Sequence, residues 1–196
     1  MAIGDLEPPT DARGDRDRWI GVFIGILAVI LAICSMGGDN ASKEATLKTI
    51  AATNTWAFFQ AKNMRRQVVR AQIEAVNLAL ITTPGLDAAA KASLEKTLAA
   101  HEQTAKLLTS DPKGGEGLDE LFSKGKALDA ERDAAMARDP YFDYGQALLQ
   151  IAIVLASIAI ISGGTALLGM SFVVGVLGTL FTLNGYLMLV AIPGIG

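Results

Sequence analysis

From Tyr144 to Gly196 the chain carries no Asp, Glu, Lys or Arg, and all of its 17 basic and 20 acidic residues lie between Asp5 and Asp143. Uncharged apolar surface of that extent has to be covered by protein or by lipid. Two runs fill the segment, Tyr144 to Ile161 and Leu167 to Ile192, separated by the turn residues Ser162-Gly163-Gly164-Thr165. At about 1.5 Å per helical residue the first run nearly covers a hydrocarbon core of roughly 30 Å and the second exceeds it. A transmembrane hairpin is the expected product, with Tyr141, Phe142 and Tyr144 as an interfacial belt at its start and Pro193-Gly194 closing it.

A third uncharged run, Trp19 to Met36, follows Asp15-Arg16-Asp17-Arg18 directly and is followed by Gly37-Gly38-Asp39-Asn40, which predicts a helix stop. Reading it as a signal peptide is disfavoured by the bulky Ile33 before Cys34 and by the acidic leader. The fold expected is therefore an all-α integral membrane protein: a polar N-terminal tail (1–18), transmembrane helix 1 (19–38), a helical extramembrane domain (39–143), transmembrane helix 2 (144–162) and transmembrane helix 3 (166–192). A hydrophobic content of 51% fits that class and exceeds the soluble norm. The single cysteine excludes an intrachain disulfide, and a net charge of −3 with interleaved signs offers no field for nucleic acid.

Small residues recur within the spans at helical spacing: Gly21 and Gly25, Ala152 with Ala156 and Ala159, and Gly175 with Gly178. These predict close helix packing. The polar members, Gln146, Gln150, Ser157, Thr179, Thr182 and Asn184, include nothing ionisable, which argues against a pump or coupled transporter. Asn184 is the candidate for an intramembrane polar contact.

Between the spans, Lys43 to Ile81 forms one helical pattern free of Pro and Gly. Leu47, Ile50, Asn54, Ala57, Ala61, Met64, Val68, Ala71, Ala75 and Leu78 alternate in steps of three and four, the spacing of a heptad seam. The turn Thr82 to Asp87, with Asp87 as cap, leads to a second helix carrying Leu94, Leu98, His101, Ala105 and Leu108, so an antiparallel hairpin packed on that seam is expected. Beyond the loop Ser110 to Gly117, a charged third helix covers Leu118 to Arg138. His101 has no second His and no nearby Cys to share a metal, and Glu116, Asp119 and Glu120 read as helix-start carboxylates. Lys62, Arg65, Arg66 and Arg70 form a basic, solvated stripe. No metal, cofactor or catalytic constellation is expected.

The stretch Ala52 to Arg65, with Trp56-Ala57-Phe58-Phe59-Gln60-Ala61-Lys62, resembles the W-A-[FY]-[FY]-Q-A-K signature of the bacterial membrane proteins grouped as the domain of unknown function 4337 family, and Leu148 to Ala159 is similar to that family's second span. The resemblance implies an architecture and no activity. The family often has Lys or Arg between its last two spans, whereas Ser162 to Thr165 is uncharged here. Physically, Trp56, Phe58, Phe59 and Gln60 set a bulky cluster on an alanine-rich helix, suited either to the core of the domain or to a partner.

Arg13, Arg16 and Arg18 on one side of the first span face Lys43, Lys48, Arg132 and Arg138 on the other, a near balance; the N-terminal group abuts its span more closely. The expected placement is a bacterial inner membrane with the N-terminus cytoplasmic and the domain periplasmic. The expected function is a non-catalytic scaffold or accessory subunit, a homo-oligomer or part of a larger complex, held in the lipid bilayer and associating through its coiled coil. Two rivals are an oligomeric channel lined by Gln146, Gln150, Thr182 and Asn184, and, less favoured, a membrane-interface enzyme.

Overall fold

The computed structural model describes residues 11–192, with side chains from Gly14 onward; the first part of the polar tail, the Arg13 side chain and the Pro193-Gly194 close lie outside the described residues. Five helices follow in order: α1 (Asp11–Thr82), α2 (Ala88–Thr109), α3 (Leu118–Met136), α4 (Asp139–Ser162) and α5 (Thr165–Leu187). No strand occurs among the described residues. Stretches within α1, α4 and α5 are long and apolar enough to cross a membrane. The chain divides into two compact units, one of Met1–Ala45 with Asp133–Gly196 and one of Thr46–Arg132.

In the first unit the helices approach through small residues. Gly178 lies so close to α4 that a Cβ there would come within 3.0 Å of the Leu149 amide nitrogen and 3.1 Å of the Gly145 carbonyl oxygen. Ser171 donates to the Ala152 carbonyl at 2.7 Å, satisfying a fully buried hydroxyl across the same pair of helices. Leu27 of α1 covers Gly175, and the Cys34 thiol donates to the Phe142 carbonyl at 3.2 Å.

The predicted stop at Gly37-Gly38-Asp39-Asn40 does not occur: α1 runs through it without a break. The glycines instead make room for a ring. A Cβ on Gly37 would fall 2.5 Å from Phe142 Cε1, one on Gly38 3.2 Å from Phe142 Cβ, and one on Gly185 2.9 Å from Phe142 Cε1. Phe142 is thereby buried and meets Tyr186 edge-on at 4.9 Å. Two helical glycines cost about 2 kcal/mol in propensity; a buried Phe returns roughly 1.5–3 kcal/mol, and an aromatic pair about 0.5–1.5 more. Packing therefore wins over the local stop signal.

The second unit overturns the predicted seam. Leu47, Ile50, Asn54, Ala57, Ala61, Met64, Val68, Ala71, Ala75 and Leu78 are all exposed. The face of α1 that packs is the parallel series Lys48, Ala52, Thr55, Phe59, Lys62, Arg66, Val69, Ile73, Val76 and Leu80, which also alternates in steps of four and three. Its cations hide it from a hydropathy reading. Lys48 and Lys62 lay their methylene stems along the packed face and carry their ammonium groups outward to Glu131 and Glu116 of the same unit. Asp87 caps α2 as expected, its Oδ1 accepting from the Ala90 amide at 2.6 Å.

Candidate functional site

The aromatic motif lies within the second unit. Trp56 meets Phe59 at 5.7 Å and Phe122 of α3 at 5.6 Å, both edge-on, the geometry that ring quadrupoles favour. Its indole Nε1 donates to Asp129 Oδ2 at 3.1 Å, and α3 comes close enough that a Cβ on Gly125 would stand 2.8 Å from the indole ring. Asp129 is fixed in turn by Arg132 at 3.1 Å. Trp56 and Phe59 thus join α1 to α3. Phe58 instead points outward, 44% exposed, with the Lys62 ammonium 5.2 Å from its ring centroid, and Gln60 is exposed. The motif therefore divides by face into two residues turned inward and two turned outward.

The acidic loop serves structure. Glu120 accepts from the Asp111 amide at 3.1 Å and from the Ser110 hydroxyl at 2.8 Å, and Asp111 Oδ1 accepts from the Gly114 amide at 3.0 Å. The Asp111 amide, then the Ser110 hydroxyl, and more weakly the Lys62 charge hold the Glu120 carboxyl below the ordinary glutamate range. Glu116 pairs with Lys62 at 3.6 Å. His101 is half-buried, and among the described residues no group of three His, Cys, Asp or Glu side chains could hold a metal ion. Of the basic stripe, Arg65 and Arg70 are exposed, whereas Lys62 and Arg66 belong to the packed face, Arg66 bonding Asn63 at 2.9 Å.

In the first unit Ala152, Ala156 and Ala159 are fully buried, and Gly175 and Gly178 are buried opposite Leu27 and Leu149. Gly21 and Gly25 face open space; the close approaches of α1 are made at Gly37 and Gly38, whose spacing from Phe142 no helical period announces. Asn184 does not bridge helices. Its Nδ2 donates to the Val190 carbonyl at 2.8 Å and its Oδ1 accepts from the Val190 amide at 3.0 Å, pairing with one residue of its own tail as a backbone would. The Tyr141 hydroxyl donates to the same carbonyl at 3.2 Å and accepts from the Ile192 amide at 2.9 Å. This clamp explains why α5 stops at Leu187, short of the expected Ile192, with Met188 at φ 49°. Thr182 is buried and bonds the Gly178 carbonyl one turn back, Gln146 is half-buried and Gln150 exposed.

At the opposite end of this unit Arg16 Nη1 donates to the Gly163 carbonyl at 3.1 Å, a cation on the left-handed residue (φ 71°) that terminates α4. Beside it an open cleft of about 510 Å³ is lined by Arg16, Trp19, Ile20, Phe23 and Phe172. A second, of about 420 Å³ and almost wholly apolar, lies between α5 and its clamped tail. Near the start of α4, burial and the nearby Asp143 raise the Asp139 carboxyl above the usual range.

No curated protein and no solved structure matches the chain. A family described as Domain of unknown function (DUF4337) matches residues 16–188, from the arginine that holds the α4–α5 turn to Met188, the left-handed residue just past the end of α5. With that match covering most of its length, the chain belongs to the DUF4337 family.

Proposed function

We propose that this protein is a non-catalytic membrane scaffold or accessory subunit, anchored by the apolar stretches of α1, α4 and α5 and associating through the outer face of α1. One observation carries the reading: within Thr46–Arg132, α1 uses one heptad series for its own unit and leaves a second, equally regular one exposed. Leu47, Met64 and Leu78 on that second face are 66%, 69% and 61% exposed, an arrangement costly in water unless another surface covers it. A bacterial inner membrane, with the domain periplasmic, is the setting we propose on the basis of the arginines that abut the first span.

The test is the mass of the particle extracted in native lipid nanodiscs together with its co-purifying components. A particle of two or more polypeptides is expected. A partner-free single chain overturns the scaffold reading. Trp56→Ala is a poor probe of partnership, because Trp56 joins α1 to α3 inside the unit; substitutions on the exposed series are the ones that should shed a partner without loss of fold.

A further inference from the structure

We infer that the exposed heptad face of α1 is occupied by the same face of a second copy of this chain, in a parallel, in-register pair of helices over residues 47–78. The inference rests on the scaffold reading above and names its partner.

Pattern, area and polarity all bear on the occupant. Leu47, Asn54, Ala61, Val68 and Ala75 occupy the first core position of successive heptads and Ile50, Ala57, Met64, Ala71 and Leu78 the second, so the face is complementary to itself in register. Leu47, Ile50, Met64, Val68 and Leu78 on the face, and Phe58 flanking it, each expose a large apolar side chain. At on the order of 100 Å² apiece, two copies bring together roughly 1,200 Å², the lower edge of what a stable interface buries. The alanines between them let the backbones come close.

Asn54, the single polar member, lies at a first core position, where in a parallel pair it meets its own counterpart and the two amides bond to each other. A shifted or antiparallel arrangement sets that amide against an apolar residue, which costs about 1–3 kcal/mol for each group left unpaired. Two copies inserted the same way in one bilayer are also constrained to be parallel. The flanking pairs of that register are Thr53 with Phe58, Gln60 with Arg65, Gln67 with Gln72 and Glu74 with Ala79, none of them like-charged.

The test is disulfide trapping of the full chain in native membranes, with single cysteines at Ala57, Ala61, Met64 or Val68 and controls at Arg70 and Glu95, both exposed and off the series. The native Cys34 is fully buried, and the unsubstituted chain sets the background. In the pair, equivalent core positions fall within disulfide reach, so roughly ten-fold more covalent dimer is expected from Ala57→Cys, Ala61→Cys, Met64→Cys and Val68→Cys than from Arg70→Cys or Glu95→Cys. Equal yields at all positions overturn the inference. Equal yields from a nanodisc particle that still holds two or more polypeptides overturn the seam alone and leave the scaffold; a partner-free single chain removes both.

Discussion

Gly178 and Gly25 are the same residue type, each within about one helical turn of a second glycine, and their surroundings separate them. Gly178→Ala places a methyl group against the backbone of α4, which cannot move aside as a side chain would, and is expected to destabilise the helix bundle by about 1–3 kcal/mol. Gly25→Ala meets nothing within 4 Å and should leave stability unchanged or raise it by up to about 1 kcal/mol, the helix propensity that glycine forgoes. Thermal unfolding of both variants in the same lipid particle checks the contrast, and equal losses would show that α4 and α5 do not approach as described. Trp56 is half-buried, so Trp56→Ala should cost about 3 kcal/mol, the low end for a large aromatic. Asp129→Ala, which frees the indole N–H to find water, should cost about 1 kcal/mol. Glu120 acts through pH. Its folded carboxyl titrates below its unfolded one, so its contribution is fully present above the ordinary glutamate range and is lost as pH falls through the lowered folded value. Urea titrations should show the gap between the native chain and Glu120→Gln closing on acidification; a gap constant with pH would mean that the Ser110 and Asp111 bonds do not favour the charged form.

Among the elements, α4 and α5 were the most legible as helices, because each is a long uncharged run and the turn between them is marked by Ser162 to Thr165; their outer ends were not, since α4 starts at Asp139 and α5 stops at Leu187. The α2 start was legible for a similar reason, a capping Asp ahead of an alanine-rich run. α1 was legible as a helix and misleading in its faces. The outer series reads as the core because it is free of charge, whereas the inner series contains Lys48, Lys62 and Arg66, whose stems pack while their heads reach polar partners. The stop at Gly37-Gly38 failed because its rescue comes from Phe142, which no local window contains. Asn184 does make polar contacts, but with Val190 of its own tail, a partner that helical spacing does not announce because it is reached only after Met188 turns the chain back. That clamp is separable from the helix. Asn184→Leu removes both bonds to Val190 and should release the tail with little loss of helicity, seen as faster thiol labelling of Val190→Cys in the Asn184→Leu background at unchanged circular dichroism. Unchanged labelling would mean that the Tyr141 bonds suffice to hold it.

For the molecule as a whole, three spans impose a parity. If the apolar stretches of α1, α4 and α5 each cross the bilayer, the start of α1 and the α4–α5 turn face one compartment, and residues 46–132 and the tail beyond α5 face the other. The first unit has contacts consistent with this count at both of its ends. Arg16 reaches Gly163 at one, and Tyr141, at the start of α4, bonds Val190 and Ile192 beyond α5 at the other. An arrangement with only two crossings would have to leave one apolar run in water or bend it back within lipid, where its freed backbone groups cost several kcal/mol each. Single cysteines at Asp15, Ser162 and Glu95, all exposed, resolve the matter with a membrane-impermeant thiol reagent applied to intact cells and then to opened ones. Asp15→Cys and Ser162→Cys should be protected together, and Glu95→Cys should be labelled from outside if the domain is periplasmic. Reversal of all three would keep the parity and invert the orientation, removing the arginine argument alone. Labelling of Ser162→Cys from the same side as Glu95→Cys would break the parity, and a three-span anchor with it.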